Sequence, residues 1–290
     1  MRWSFILLCF IIIIGFIYVY FLRKKENQTE YFNQQSPFVM KTNEHIYDDF
    51  YAKLHDVFHD NKKTSHNMYN IILANTKPTE YSRILDIGSG TGELVNEFIE
   101  NGFNAEGIDH SNAMIQCSKD KYEYLPVKCG EATNSLNYEN QTFTHITLLG
   151  FTIYEIKDIN CLLRNVYGWL LHNGYFIVHL VEKQSYNPLV PLCNPLSDDN
   201  FQKYTTKRIT RGKVNLGDFV YKQDVDFSKD DEVVVQESFI NKSVRKQEHT
   251  LYMKELKHMV STICNYGFIV KGKVALQTDS HQYVYFFEKI

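Results

Sequence analysis

Asp86 stands two residues ahead of Gly88, Gly90 and Gly92, and Asp109 follows about 20 residues beyond these glycines. Glycine lacks a Cβ, so a chain bearing it at alternate positions can take positive φ and let a ligand approach the backbone closely. A helix starting at such a turn presents unpaired amides to an anionic group. A carboxylate at Asp86 disfavours a pyrophosphate in that place and suits an ammonium. An acid at Asp109 can accept both hydroxyls of a ribose. Together these residues describe a site for a ribose-bearing ligand with an ammonium group.

The elements needed to position them are legible around the run. Ile84, Leu85 and Ile87 predict a buried strand, and Leu94, Val95, Phe98 and Ile99 predict a helix that Gly102 ends. Ala105–Asp109 is a second strand ending in an acid. His110 and Ser111 follow, with a helix over Ala113 to Tyr122. Leu125–Cys129 predicts a third strand, Phe143–Leu149 a buried central one, and Tyr175–Val181 a fifth with His179 near its end. Asp158 is a suitable N-cap for a helix with Ile159, Leu162, Leu163, Val166 and Leu170 on one face, ended by Asn173-Gly174. Alternating strands and helices predict a doubly wound α/β domain. A helix around Met259 and two strands, Phe268–Leu276 and Gln282–Glu288, predict closure by an antiparallel hairpin, with a bulge at Gly272.

The D-x-G-x-G-x-G pattern of Asp86–Gly92 resembles motif I of the class I S-adenosylmethionine (SAM) dependent methyltransferases. The resemblance covers residues 44–182 and 251–290 and implies a Rossmann-like sheet with SAM as cofactor. It implies that Asp86 and the turn Gly88, Ser89, Gly90, Thr91 and Gly92 hold the methionine end, with Asp109, next to His110, on the ribose. It further implies that Glu131 and Ala132 flank the adenine. Met114 is either an adenine contact or a core residue, and Leu149 ends the fourth strand at the cleft. Ile46–Phe58 is amphipathic, with Ile46, Phe50, Leu54 and Val57 on one face. Its Y-D-x-F-Y character resembles the family's N-terminal lid and makes Tyr47 and Tyr51 lid residues. The chain departs from the family at Leu149-Gly150-Phe151, where an acid or amide is usual. It also lacks the N-P-P-Y motif of the branches that methylate DNA adenine or glutamine.

Methyl transfer from a sulfonium is an in-line displacement, so positioning and desolvation dominate. A base is needed only where the acceptor must lose a proton. His179, Tyr154 and Tyr51 are the candidates at the cleft mouth. A dehydrogenase is the first rival, but its fingerprint wants a glycine where Glu93 stands. The second rival is a non-catalytic, membrane-tethered SAM-binding module.

The chain has 290 residues, 44% hydrophobic and 22% charged, with net charge −3. That balance suits a globular protein with a sizeable core and not a nucleic-acid binder. Six dispersed cysteines form no metal spacing. Trp3 to Leu22 is uncharged and long enough to span a bilayer, and Arg23, Lys24 and Lys25 stop it. This predicts a single-pass anchor over residues 1–22 with a cytoplasmic body, followed by a linker over residues 23–43. Lys183 to Thr250 changes character. Strands over Lys207–Val214, Phe219–Phe227, Val233–Ile240 and Arg245–His249 predict a β-rich lid or substrate insertion over residues 183–250. The lid and insertion favour a small-molecule acceptor. The anchor points instead to a lipid or membrane protein.

Overall fold

The computed structural model describes residues 38–59, 61–186, 207–276 and 279–290. The predicted anchor and most of the linker lie outside them. No helix among the described residues is long and apolar enough to cross a membrane. Phe38–Thr42, inside the predicted linker, forms strand β1. Its side chains alternate in exposure, and it is held by backbone pairing at a sheet edge, which a polar composition does not reveal.

Helices α1 (Asp49–His59) and α2 (Asn61–Thr76) lead into the main sheet. Its parallel strands are β2 (Arg83–Ile87), β3 (Asn104–Asp109), β4 (Val127–Cys129), β5 (Phe143–Leu148) and β6 (Leu170–Val181). They alternate with α3 (Glu93–Glu100), α4 (Asn112–Lys121) and α5 (Ile159–Trp169). After α6 (Leu256–Cys264) come β11 (Phe268–Leu276) and β12 (Asp279–Lys289). The order is β11-β12-β6-β5-β2-β3-β4, with β12 antiparallel between β6 and β11. This is the Rossmann-like α/β fold read from the sequence. Its topology puts the carboxyl ends of β2, β3 and β5 side by side, where such sheets bind ligands.

Caps follow the sequence. Ser111 accepts from the Met114 amide at 3.1 Å and Asp158 from the Cys161 amide at 2.9 Å. Two boundaries differ from expectation. Asn173-Gly174 does not end α5; the helix stops at Trp169, and Asn173 takes φ 63° inside β6. Gly272 does mark a register shift between β11 and β12.

One core layer joins Leu163, Val166 and Trp169 of α5 to Met259 and Ile263 of α6 beneath the sheet. The other joins Met68 and Ile72 of α2 to Val95 and Phe98 of α3. A second, five-stranded sheet has the order β1-β10-β9-β8-β7, built from β7 (Arg211–Asn215), β8 (Val220–Asp226), β9 (Val233–Ile240) and β10 (Val244–Leu251). β1 runs parallel to β10 and the other pairs are antiparallel.

Helix α1 lies between α4 and the second sheet. Its buried residues are Tyr51, Ala52 and Phe58, packed with Met114, Tyr221 and Phe239. Of the expected apolar face, Ile46 is buried and Phe50 and Leu54 pack against this cluster, but Val57 is 62% exposed. A helix packed on two sides buries more than one stripe, so Tyr51, Ala52 and Phe58 are buried beside the predicted face.

Candidate active site

At the end of β2 the chain turns through Gly88, Gly90 and Gly92, whose φ values are 70°, 53° and 81°. All three are left-handed, a conformation that L side chains pay for sterically. A Cβ on Gly88 would lie 2.7 Å from Thr152, and one on Gly92 2.4 Å from Leu125 and Ser118. Gly90 differs, because a Cβ there would meet only His55 at 3.7 Å. Its face is the one a ligand can approach. Gly90 N–H donates to Asp109 Oδ2 at 2.9 Å, and Ser111 N–H to Oδ1 at 2.8 Å. The turn and the acid thus fix each other. Asp109 keeps lone pairs for two further donors, since a carboxylate offers about four.

Asp86 is buried at the end of β2 and accepts from Thr147 Oγ1 at 2.6 Å. Among the described residues no cation pairs with it. Burial pushes its pKa up to about 7; the Thr147 hydrogen bond opposes this and the charge of Asp109 adds to it. The buried Ser89 Oγ and His110 Nε2 also have no partner among the described residues. These groups form a polar pocket with one unneutralised acid.

The segment before and through α1 closes over this pocket. Tyr47 donates to Glu155 Oε1 at 2.8 Å, and its ring meets Tyr51, His110 and His249 edge-on at 5.6, 5.4 and 5.9 Å. Ser111 Oγ donates to the Tyr47 carbonyl. Thr91 Oγ1, fully buried, donates to Asp56 of α1, which also pairs with Lys121 at 2.6 Å. Lys121 in turn pairs with Glu93. The charge of Glu93 is therefore met, and the case against a pyrophosphate rests on Asp86 and Asp109 instead.

Residues 84–174 match the family described as "Methyltransferase domain". The fold is similar to that of a SAM-dependent methyltransferase from Clostridium acetobutylicum: TM-score 0.61, 18% identity, 82% of this chain and 96% of that one. It is also similar to SAM-bound CalS10, an amino pentose methyltransferase from Micromonospora echinaspora: TM-score 0.56, 14% identity, 79% of this chain and 91% of that one. The chain has a class I methyltransferase fold. A demethylmenaquinone methyltransferase from Streptomyces griseus is 24% identical over 106 residues, which are 37% of this chain. The chain spans 45% of that relative's length.

The methyltransferase fold locates the remaining sequence-predicted residues. Glu131 and Ala132 follow β4; Glu131 O accepts from Asn137 and Ala132 O from Asn165 at 3.0 Å. Leu149 is half-buried after β5, and its carbonyl accepts from Thr152 Oγ1 at 2.8 Å. Met114 is buried against α1. Of the three candidate bases, Tyr154 and His179 share the neighbour Phe151. Tyr51 is buried, with its hydroxyl 3.4 Å from His59 Nε2. Tyr154 is fully buried, and its hydroxyl oxygen accepts from Val181 N–H at 3.1 Å. His179 is buried under Phe151, the rings stacked at 4.1 Å, and burial pushes its pKa down to about 4.

Sequence reasoning missed Asp56, Glu155 and Glu237. Glu155 follows directly on Tyr154 with no motif of its own. Burial pushes its pKa up to about 7, with the Tyr47 hydrogen bond opposing. Glu237 sits on β9 at a position that the alternation predicts to be apolar. A buried acid in an otherwise apolar strand face was the available signal.

Proposed function

We propose that the protein is a SAM-dependent methyltransferase acting on a small-molecule acceptor. The observation that carries this is the left-handed triple-glycine turn beside Asp86, a buried carboxylate with a hydroxyl partner and, among the described residues, no cation. The site suits an ammonium at Asp86, a ribose at Asp109 and an adenine near Glu131 and Ala132. SAM supplies an electrophilic methyl group. This chain's residues bind it, keep water out beneath α1 and orient the acceptor, contributions that rest on proximity and desolvation. The amino pentose named for CalS10 supports a small acceptor over a lipid. The apolar run Trp3–Leu22 supports a membrane-tethered form of the same enzyme.

Titration with S-adenosylhomocysteine tests the reading. Gly90→Ala has room for its Cβ but blocks backbone approach and strains the turn by about 1–2 kcal/mol. It should fold and bind at least tenfold more weakly than wild type. Tighter binding of NAD than of S-adenosylhomocysteine by wild type would sink the proposal.

A further inference from the structure

The outer face of the second sheet is graded from apolar to basic. Along β8, β9 and β10 the side chains alternate between a buried inner set, among them Tyr221, Phe239 and Arg245, and an outer set that meets solvent. The pairing register lines the outer set up in rows. Phe38, Val244, Ile240 and Val220 form the first, from β1 across to β8. Phe38 is 53% exposed and the other three are half-buried. Met40, Lys246, Ser238, Lys222 and Lys213 form the next row, from β1 to β7. Met40 and all three lysines are exposed.

The rows lie about 7 Å apart, the rise of two residues along a strand, and the lysines spread over about 14 Å from β7 to β10. Among the described residues no carboxylate pairs with Lys213, Lys222 or Lys246, whereas Asp224 in the following row pairs with Arg211 at 2.8 Å. Glu248 and Asp226 also lie beyond the lysines, away from the apolar row. The exposed turns at the apolar end carry one charge of each sign, Asp218 and Lys242. Lysines on edge strands discourage pairing with other sheets. Lys222 and Lys246 stand on inner strands, where no edge needs that protection. An exposed apolar row rimmed by unpaired lysines is the pattern of a surface that meets a lipid interface, with apolar groups deeper and cations at the level of the headgroups.

The chain reaches this face from the predicted span. Phe38 opens the apolar row, and the basic stop Arg23, Lys24 and Lys25 lies a few residues upstream. The twelve residues 26–37 can bridge at most about 40 Å. A domain on so short a tether meets the bilayer at high effective concentration.

We propose that the outer face of the second sheet docks on an anionic bilayer, with Phe38, Met40, Val220, Ile240 and Val244 at the interface and Lys213, Lys222 and Lys246 on the lipid phosphates and carboxylates. This rests on the membrane-tethered form proposed above. Each lysine contributes roughly a fivefold preference for an anionic surface. The face orients a tethered domain and does not anchor a free one.

The test reconstitutes the full chain into nanodiscs of phosphatidylcholine alone or with about one quarter phosphatidylserine. Lysine acetylation is then read by mass spectrometry. In the anionic discs Lys213, Lys222 and Lys246 should react at least threefold more slowly than in the neutral ones. Lys62 of α2 and Lys257 of α6, exposed on the main domain, should react alike in both. Salt at about 0.5 M should abolish the protection. Lys222→Glu, at the centre of the row, should remove at least half of the protection of Lys213 and Lys246 with Tm unchanged. The proposal is overturned if the three lysines react equally in both discs, if Lys62 and Lys257 are protected as strongly, or if Lys222→Glu changes nothing. Protection that appears without lipid and grows with protein concentration overturns it too, and assigns the face to a second copy of the chain. Elution apart from the discs in high salt overturns the tether, and the docking with it.

Discussion

Asp86 is held in opposition to the stability of the fold around it. Its carboxyl is pushed up from its ordinary value of 3.8 to about 7, chiefly by burial. The folded chain therefore holds this proton more tightly than the unfolded chain. The sign follows: the stabilising contribution is complete below about pH 4 and is lost as pH rises through about 7. Asp86→Asn keeps an acceptor for Thr147 and has no charge to bury, so its Tm at pH 8 should exceed that of wild type by a few degrees. Ligand affinity should run the other way. An ammonium needs the carboxylate, so wild-type affinity for S-adenosylhomocysteine should fall by up to about tenfold per unit as pH drops below 7. The variant should bind at least tenfold more weakly at pH 8, with a flatter profile. Calorimetry and thermal melts from pH 5.5 to 8.5 check both, and parallel profiles for the two proteins would refute the assignment. Asp86 was legible because its distance from the glycines is part of a motif. Glu155 was not, because its place beside Tyr47 is made by residues 108 positions apart. His179 was legible as a residue at a strand end, but sequence does not say which side chain will lie on top of it, and here it is Phe151.

At the scale of elements, α1 decides whether the pocket is closed. It is fastened to the glycine turn through Asp56, which accepts from Thr91 and from Asn61 at 2.9 Å and pairs with Lys121. Burial by itself would raise the pKa of Asp56, but hydrogen bonds from His55, Lys121 and Thr91 outweigh it and hold the carboxyl well below the usual range. Asp56→Ala should leave Thr91 without its partner and loosen the helix. The expected result is faster amide hydrogen exchange across Asp49–His59 and a roughly tenfold loss of S-adenosylhomocysteine affinity, the scale of one charged hydrogen bond after solvent screening. Exchange in β2 should not change, and uniform acceleration through the domain would show instead that the variant is globally destabilised. The strands of the main sheet were readable because each is an apolar run closed by glycine, acid or turn residues. The apolar stripe through α1 placed Ile46, Phe50 and Leu54 but not Val57, and it left out Ala52 and Phe58, because the helix has two sequence-distant neighbours and a stripe records only one.

At the scale of the whole molecule, the second sheet is clasped to the main domain across α1, and the clasp begins at the chain segment least informative in sequence. β1 pairs with β10 over five residues, Phe38 opposite Val244 through Thr42 opposite Glu248. The turn after it is fixed from the same sheet: Arg245 binds the Ile46 carbonyl and Asp48, and Asn43 Oδ1 accepts from the Thr250 amide at 3.0 Å. β1 therefore sets where Tyr47 and α1 start, and through them how the pocket is covered. Removing residues 1–25 takes away the predicted span and its basic stop and leaves all of these contacts. That chain should partition into the soluble fraction, with unchanged Tm and S-adenosylhomocysteine affinity. Removing residues 1–42 deletes β1 as well. Each backbone hydrogen bond is worth about 1 kcal/mol net, so the loss should be roughly 2–4 kcal/mol, or about 5–10 °C in Tm. Ligand affinity should fall with it, because the strand that positions the lid has gone. Equal Tm and affinity in the two truncations would mean that β1 decorates the second sheet without governing the site.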